Sequence, residues 1–165
     1  MEIWELVARE RIRDTIARYS WAGDGFRLAE MASTFCDDGE LEIRGRAPLR
    51  GRDAIVAFLG DGPSVPDDEA RRAARRAAAG EGGRRRMVRH VVTNTRFVAL
   101  TPERAEVESY FTVVTEIGLD HCGRYRDTLV PVDDGWRFLR RFVSTDWRAP
   151  DSTMARPEDV DPPRP

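Results

Sequence analysis

The sequence predicts an α+β fold, with helices first and a curved antiparallel sheet after them. Two observations carry this: the segments with helical periodicity all precede Met87, and four alternating runs bounded by turn residues fill the stretch from Met87 to Trp147. A third sets the scale, since 165 residues suffice for one well-filled core and fall short of two. The domain is expected over residues 1–148, with an Arg/Ala-rich insertion at about 66–86 and an extended or disordered tail over 149–165.

From Glu2 to about Ala22, residues Ile3, Val7, Ile12, Ile16 and Tyr19 recur at helical steps between charges, which predicts an amphipathic helix. The stretch AGDG breaks it. A second helix is expected in FRLAEMASTF, where Phe26, Leu28, Met31 and Phe35 share a face, and CDDGE stops it. ELEIRG then alternates as a short strand, and APLRGRDAIVAFLGDG predicts a loop feeding a short helix with Ile55, Phe58 and Leu59 on one side. PSVPDD is a loop, and the Ala/Arg-rich run after it favours helix to Ala79, where Gly80, Gly82 and Gly83 end it. The four strands are MVRHVVTNTRFVAL, RAEVESYFTVVTEI, HCGRYRDTLVPV and WRFLRRFVSTDW, with TPER and DDG as hairpin turns.

Side chains alternate across a strand, so parity sorts pocket from solvent. In the second run Val107, Ser109, Phe111, Val113, Thr115 and Ile117 form the expected inner face, against Glu106, Glu108, Tyr110 and Glu116. In the third, Tyr125, Asp127 and Leu129 fall inward with His121 if Arg124 and Arg126 mark solvent. Asp127 is then either a pocket carboxylate or one half of a buried ion pair with an arginine. In the first run His90 shares a face with Val88, Val92 and Asn94. By parity alone it is a hydrogen-bonded core residue or a pocket base, the former being the commoner role.

Composition narrows the function classes. The formal net charge is −2, so no overall field draws the chain to nucleic acid or anionic membrane. All 27 cationic residues are arginine, which fits GC-rich coding as well as any chemistry. The basic run EARRAARRAAAGEGGRRR lacks interleaved aromatics and reads as a solvated or partner-facing helix, or a mobile insertion, rather than a nucleic-acid patch. Two cysteines, Cys36 and Cys122, make neither a disulfide framework nor a zinc spacing, so no metal is expected and a reducing, cytoplasmic setting is. No apolar run is long enough to span a bilayer.

The order of RYSWAGDGFRLAEMASTFCDDGELEI, LRGRDAIVAFL, RHVVTN and GRYRDTLVPVDDGWRF resembles the SnoaL-like branch of the NTF2-like superfamily, from about Leu6 to Trp147. The resemblance implies a cone: a curved sheet wrapped around the N-terminal helices, with one apolar pocket inside. In the dehydratases and isomerases of that branch a tyrosine near the end of the first helix, an aspartate in the corner after it and a histidine on the RHVVTN-like strand meet in the pocket; here these correspond to Tyr19, Asp24 and His90. The implied chemistry is acid/base. Asp24 would fix the imidazole tautomer, His90 would take a proton beside a carbonyl, and Tyr19 would donate to the oxygen that gains charge. Trp21, Phe58, Asn94, Phe111, Val113, Tyr125 and Asp127 are the expected substrate-binding residues.

The expected function is a cofactor-independent lyase or isomerase (dehydration, double-bond shift or cyclisation) on a hydrophobic cyclic small molecule such as a polyketide or steroid. The alternative is a non-catalytic binding or dimeric scaffold protein of the same fold, and a homodimer through the sheet is expected in either case. The chain also departs from the branch. The second pocket histidine of scytalone dehydratase has no counterpart in SYFTVVTEI, and His121 is either its substitute or a loop residue. An epoxide hydrolase-like Asp-Arg-Asp set drawn from Asp24, Asp127 and an arginine such as Arg140 is the outside option.

Overall fold

The computed structural model describes residues 2–60, 87–152 and 154–160. The expected insertion at about 66–86 and its helix lie outside the described residues.

Helix α1 (Ile3–Asp24) starts on a reciprocal cap in which the Glu2 main-chain N–H donates to Glu5 Oε2 at 2.7 Å. Its buried face is Ala8, Ile12, Thr15, Ile16, Ser20 and Ala22, while Ile3 and Val7 of the expected stripe are exposed. The second helix is shorter than expected: α2 covers only Leu28–Ala32. Phe26 adopts a positive φ of 55°, which no helix accommodates, and Phe35 already belongs to strand β1 (Phe35–Ile43). After β2 (Leu49–Arg50), helix α3 (Arg52–Gly60) anchors through the buried Ile55.

Strands β3 (Val88–Leu100), β4 (Ala105–Thr115), β5 (Gly118–Val132) and β6 (Gly135–Arg148) form an antiparallel meander. The six-stranded order is β2-β1-β6-β5-β4-β3. Every pair is antiparallel except β1 with β6, so the sheet is mixed. The meander is broken by register shifts after Thr93, at Val98, at Asp120, at Leu139 and at Asp146. Each adds a residue to one strand, bends it and increases its twist, which curves the sheet around α1. Between them lies the main core of Ile12, Ile16, Met31, Phe35, Leu41, Ile55, Leu129 and Phe138.

The chain after β6 packs back onto the fold. Over its described residues, 149–152 and 154–160, Ala149, Ser152, Ala155 and Asp159 are buried, and Val160 bridges Thr145. Arg46 forks onto Asp159 Oδ1 at 2.7 and 3.0 Å, and Arg148 donates to the Ala155 carbonyl at 3.0 Å. Small residues and two arginines supply what the segment lacks in apolar bulk.

Candidate active site

Strand β3 is the edge of the sheet, and an edge strand carries main-chain groups without a strand partner. At His90 the end of α1 supplies the partner. Asp24, the last residue of that helix, accepts the His90 main-chain N–H at 3.0 and 3.2 Å, and its Oδ1 lies 2.6 Å from His90 Nδ1. Because a carboxylate only accepts, Nδ1 carries a proton, and in the neutral ring Nε2 is the nitrogen with the lone pair. Nε2 has no hydrogen-bond partner among the described residues.

The pair sits in the wall of a groove of about 1210 Å³ between α1 and β3. Ile16, Ser20 and Trp21 come from the helix side, Val92 and Thr95 from the strand. Asp24 and His90 are largely buried yet open to this space. Trp21 is three-quarters exposed at its mouth.

Tyr19 is placed differently. It faces the core, edge-on to Phe35 and Phe138, and is not among the groove residues. The Arg141 guanidinium stands 4.2 Å from its ring centre and 4.1 Å from that of Tyr125. Arg141 in turn grips Asp127 with two parallel hydrogen bonds of 2.7 and 2.8 Å, neither side chain having any exposed surface. Of the two roles open to Asp127, the buried ion pair is the one present. Burial pushes the Asp127 carboxyl upward against the pull of Arg141; burial alone would lower Arg141, and the Asp127 charge and hydrogen bonds raise it instead.

Tyr125 links the two groups. Its ring stacks on Phe111 at 4.6 Å and lies against the Arg141 guanidinium. Burial raises both tyrosines above their ordinary range, which keeps the phenols protonated. Phe111 and Val113 are buried beside Tyr125 in a second cluster, closed on one side by Met154.

Of the seven expected substrate contacts Trp21 alone lines the groove, and Asn94 and Phe58 lie apart from the second cluster as well. Asn94 sits in the β3 register shift at a φ of 54°, so parity fails there and its side chain is exposed. Phe58 lies on α3 with Arg46 over its ring at 5.8 Å, away from the groove. The arginine of the Asp-Arg arrangement is Arg141 rather than Arg140, which faces outward and pairs with Glu42. Leu139 is the extra residue that reverses the parity.

Residues 4–142 match the family model described as a SnoaL-like domain. The chain belongs to the SnoaL-like family. Solved structures share the fold of this SnoaL-like domain: a candidate scytalone dehydratase from Novosphingobium aromaticivorans is 22% identical, with 92% of this chain and 91% of that one covered at a TM-score of 0.70. An NTF2-like protein with a cystatin-like fold from the same organism is 23% identical, covering 91% and 89% at 0.67. Aln2 from a Streptomyces species is 23% identical, covering 88% and 94% at 0.62. No curated protein matches the SnoaL-like chain significantly. Among its described residues no helix is long and apolar enough to cross a membrane.

Proposed function

We propose that this chain is a cofactor-independent lyase or isomerase acting on a hydrophobic cyclic small molecule, with His90 as general base and Asp24 as its positioning residue. One observation carries the reading: Nδ1 of His90 is held 2.6 Å from a carboxylate while Nε2 is left without a partner beside a groove of about 1210 Å³. Nε2 takes a proton from a carbon beside a carbonyl, and the C–H electron pair moves into the new double bond of an enolate. Asp24 stabilises the imidazolium formed. The Tyr19 and Tyr125 phenols, both kept protonated by burial and both against the Arg141 guanidinium, are the donors proposed for the enolate oxygen. Return of the proton to a departing hydroxyl releases water; return to another carbon shifts the double bond.

Thermal shift against steroids, polyketide-like aromatics and terpenoid epoxides identifies the ligand class, since a ligand at ~100 times its dissociation constant stabilises the fold by about 2.7 kcal/mol. Turnover of the hit must then fall in His90→Gln. Full turnover in that variant sinks the reading.

A homodimer through the convex face of the sheet is a second, compatible reading. There Arg96, Glu108, Arg126 and Phe142 form one cross-strand row, with Arg96–Glu108 at 3.2 Å and Arg126–Glu108 at 3.7 Å. Val91, Tyr110 and Trp147 stand exposed around it. Light scattering at micromolar concentration tests this: a monomeric mass rules it out.

A further inference from the structure

His90 shares its wall with the chain's other histidine. His90 pairs with Val113 and Val113 with His121, so these side chains form one row across β3, β4 and β5 on the concave face. Two strand spacings, roughly 10 Å, separate the two main chains.

A register shift builds the support for His121. Val113 pairs with His121 and Val114 with Leu119, which leaves Asp120 as the extra residue, its side chain fully buried. The Asp120 carboxylate lies 2.8 Å from His121 Nδ1, accepts the Ser152 hydroxyl at 2.5 Å and has the Thr115 hydroxyl at 3.4 Å. Such a carboxylate keeps the proton on Nδ1, so Nε2, on the other side of the ring, carries a lone pair. Burial lowers the pKa of His121 more than Asp120 raises it, and the ring is neutral at pH 7. Nε2 has no partner among the described residues, and the ring meets Phe111 edge-on at 5.7 Å.

We infer that His121 Nε2 is a second substrate contact, the acceptor for a hydroxyl group on the same cyclic ligand whose C–H faces His90. This rests on the proposed role of His90 toward the substrate, and it adds a requirement: the ligand bears an enol, phenol or alcohol about one ring away from its acidic carbon. An ether at that position offers no proton and leaves the nitrogen unpaired under the ligand. His121 is a specificity residue here, and Ser152 of the C-terminal segment fixes it through Asp120.

The test uses 2-naphthol and 2-methoxynaphthalene as probes, with ring ¹⁵N shifts of both histidines followed by NMR. In the wild-type protein the naphthol is expected to bind about tenfold tighter than the ether and to move the His121 Nε2 resonance, the value of one well-made hydrogen bond. His121→Phe should abolish the preference, and His121→Gln, which keeps an acceptor near Nε2, should restore part of it. Shifts at His90 alone, no shift at either ring, or an unchanged preference in His121→Phe each overturn the assignment. The readout is binding rather than turnover, so failure of His90 as the base does not alter it.

Discussion

Asp24 holds His90 at two points, accepting its main-chain N–H at 3.0 Å and facing Nδ1 at 2.6 Å, so the last residue of a helix fixes both an edge strand and the imidazole on it. His90→Gln removes the base and should lower kcat by on the order of 10²-fold to 10⁴-fold. Asp24→Asn keeps the shape and deletes the charge that answers the imidazolium. Because the interaction strengthens as the proton is taken, kcat and kcat/KM should fall together with KM little changed. Steady-state kinetics on the identified ligand separates this from a KM effect, which would mean Asp24 contacts substrate instead.

Arg141 and Asp127 make a different pair, sealed and two-pronged. Removing one partner strands a buried charge, whereas replacing both leaves a well-packed apolar site. Arg141→Met should therefore cost roughly 3–5 kcal/mol. The double variant Arg141→Met, Asp127→Leu should be more stable than Arg141→Met alone. Urea unfolding of the three proteins decides it; a double variant weaker than the single would show that Asp127 has another partner of consequence.

His121 gives the fold an acid limb. Its ordinary pKa of 6.5 is depressed by burial in the folded state, opposed by the adjoining Asp120. Between that lowered value and 6.5 the unfolded chain binds a proton that the folded chain refuses, so stability rises with pH. The contribution is complete above pH 6.5 and declines as pH falls below it. Urea midpoints at pH 7.5 and 5.5 should differ more for wild type than for His121→Phe. An equal loss in both proteins would place the titration elsewhere.

Elements were legible in the sequence wherever periodicity ran unbroken: α1, α3 and all four long strands lie where alternation puts them. The inner face of β4 follows parity from Ala105 to Thr115. What the pattern hid were single extra residues. Leu139 turns Arg141 inward and Arg140 out; Asn94 escapes the face of His90; Asp120 joins His121 on the concave side, within a strand that begins at Gly118 rather than at His121. A bulge leaves no periodic trace because it breaks the period it would be read from. The ordered tail was hidden for another reason: Arg46 and Asp159 are 113 residues apart, and only the folded chain brings them together.

Gly123 was a trace of one such irregularity, a glycine inside an otherwise β-favouring run. It lies where β5 and β6 shift register, between the Cys122–Trp147 and Gly123–Thr145 pairs. A Cβ there would stand 2.0 Å from the Ser144 carbonyl oxygen, 2.9 Å from Thr145 Cα and 3.0 Å from the Phe111 ring. The first two are backbone of the neighbouring strand, so relief requires the strands to part rather than a side chain to turn. Gly123→Ala should cost at least about 1–3 kcal/mol, the usual range for overpacking. Gly135→Ala, whose Cβ meets nothing nearer than 3.9 Å, should stay within about 0.5 kcal/mol of wild type. Thermal melts of both variants test the strand contact, and equal stability would mean that β5 and β6 separate easily beside Phe111. In that event the wall carrying His121 and Tyr125 would be pliable, and the hydroxyl preference assigned to His121 should weaken along with it.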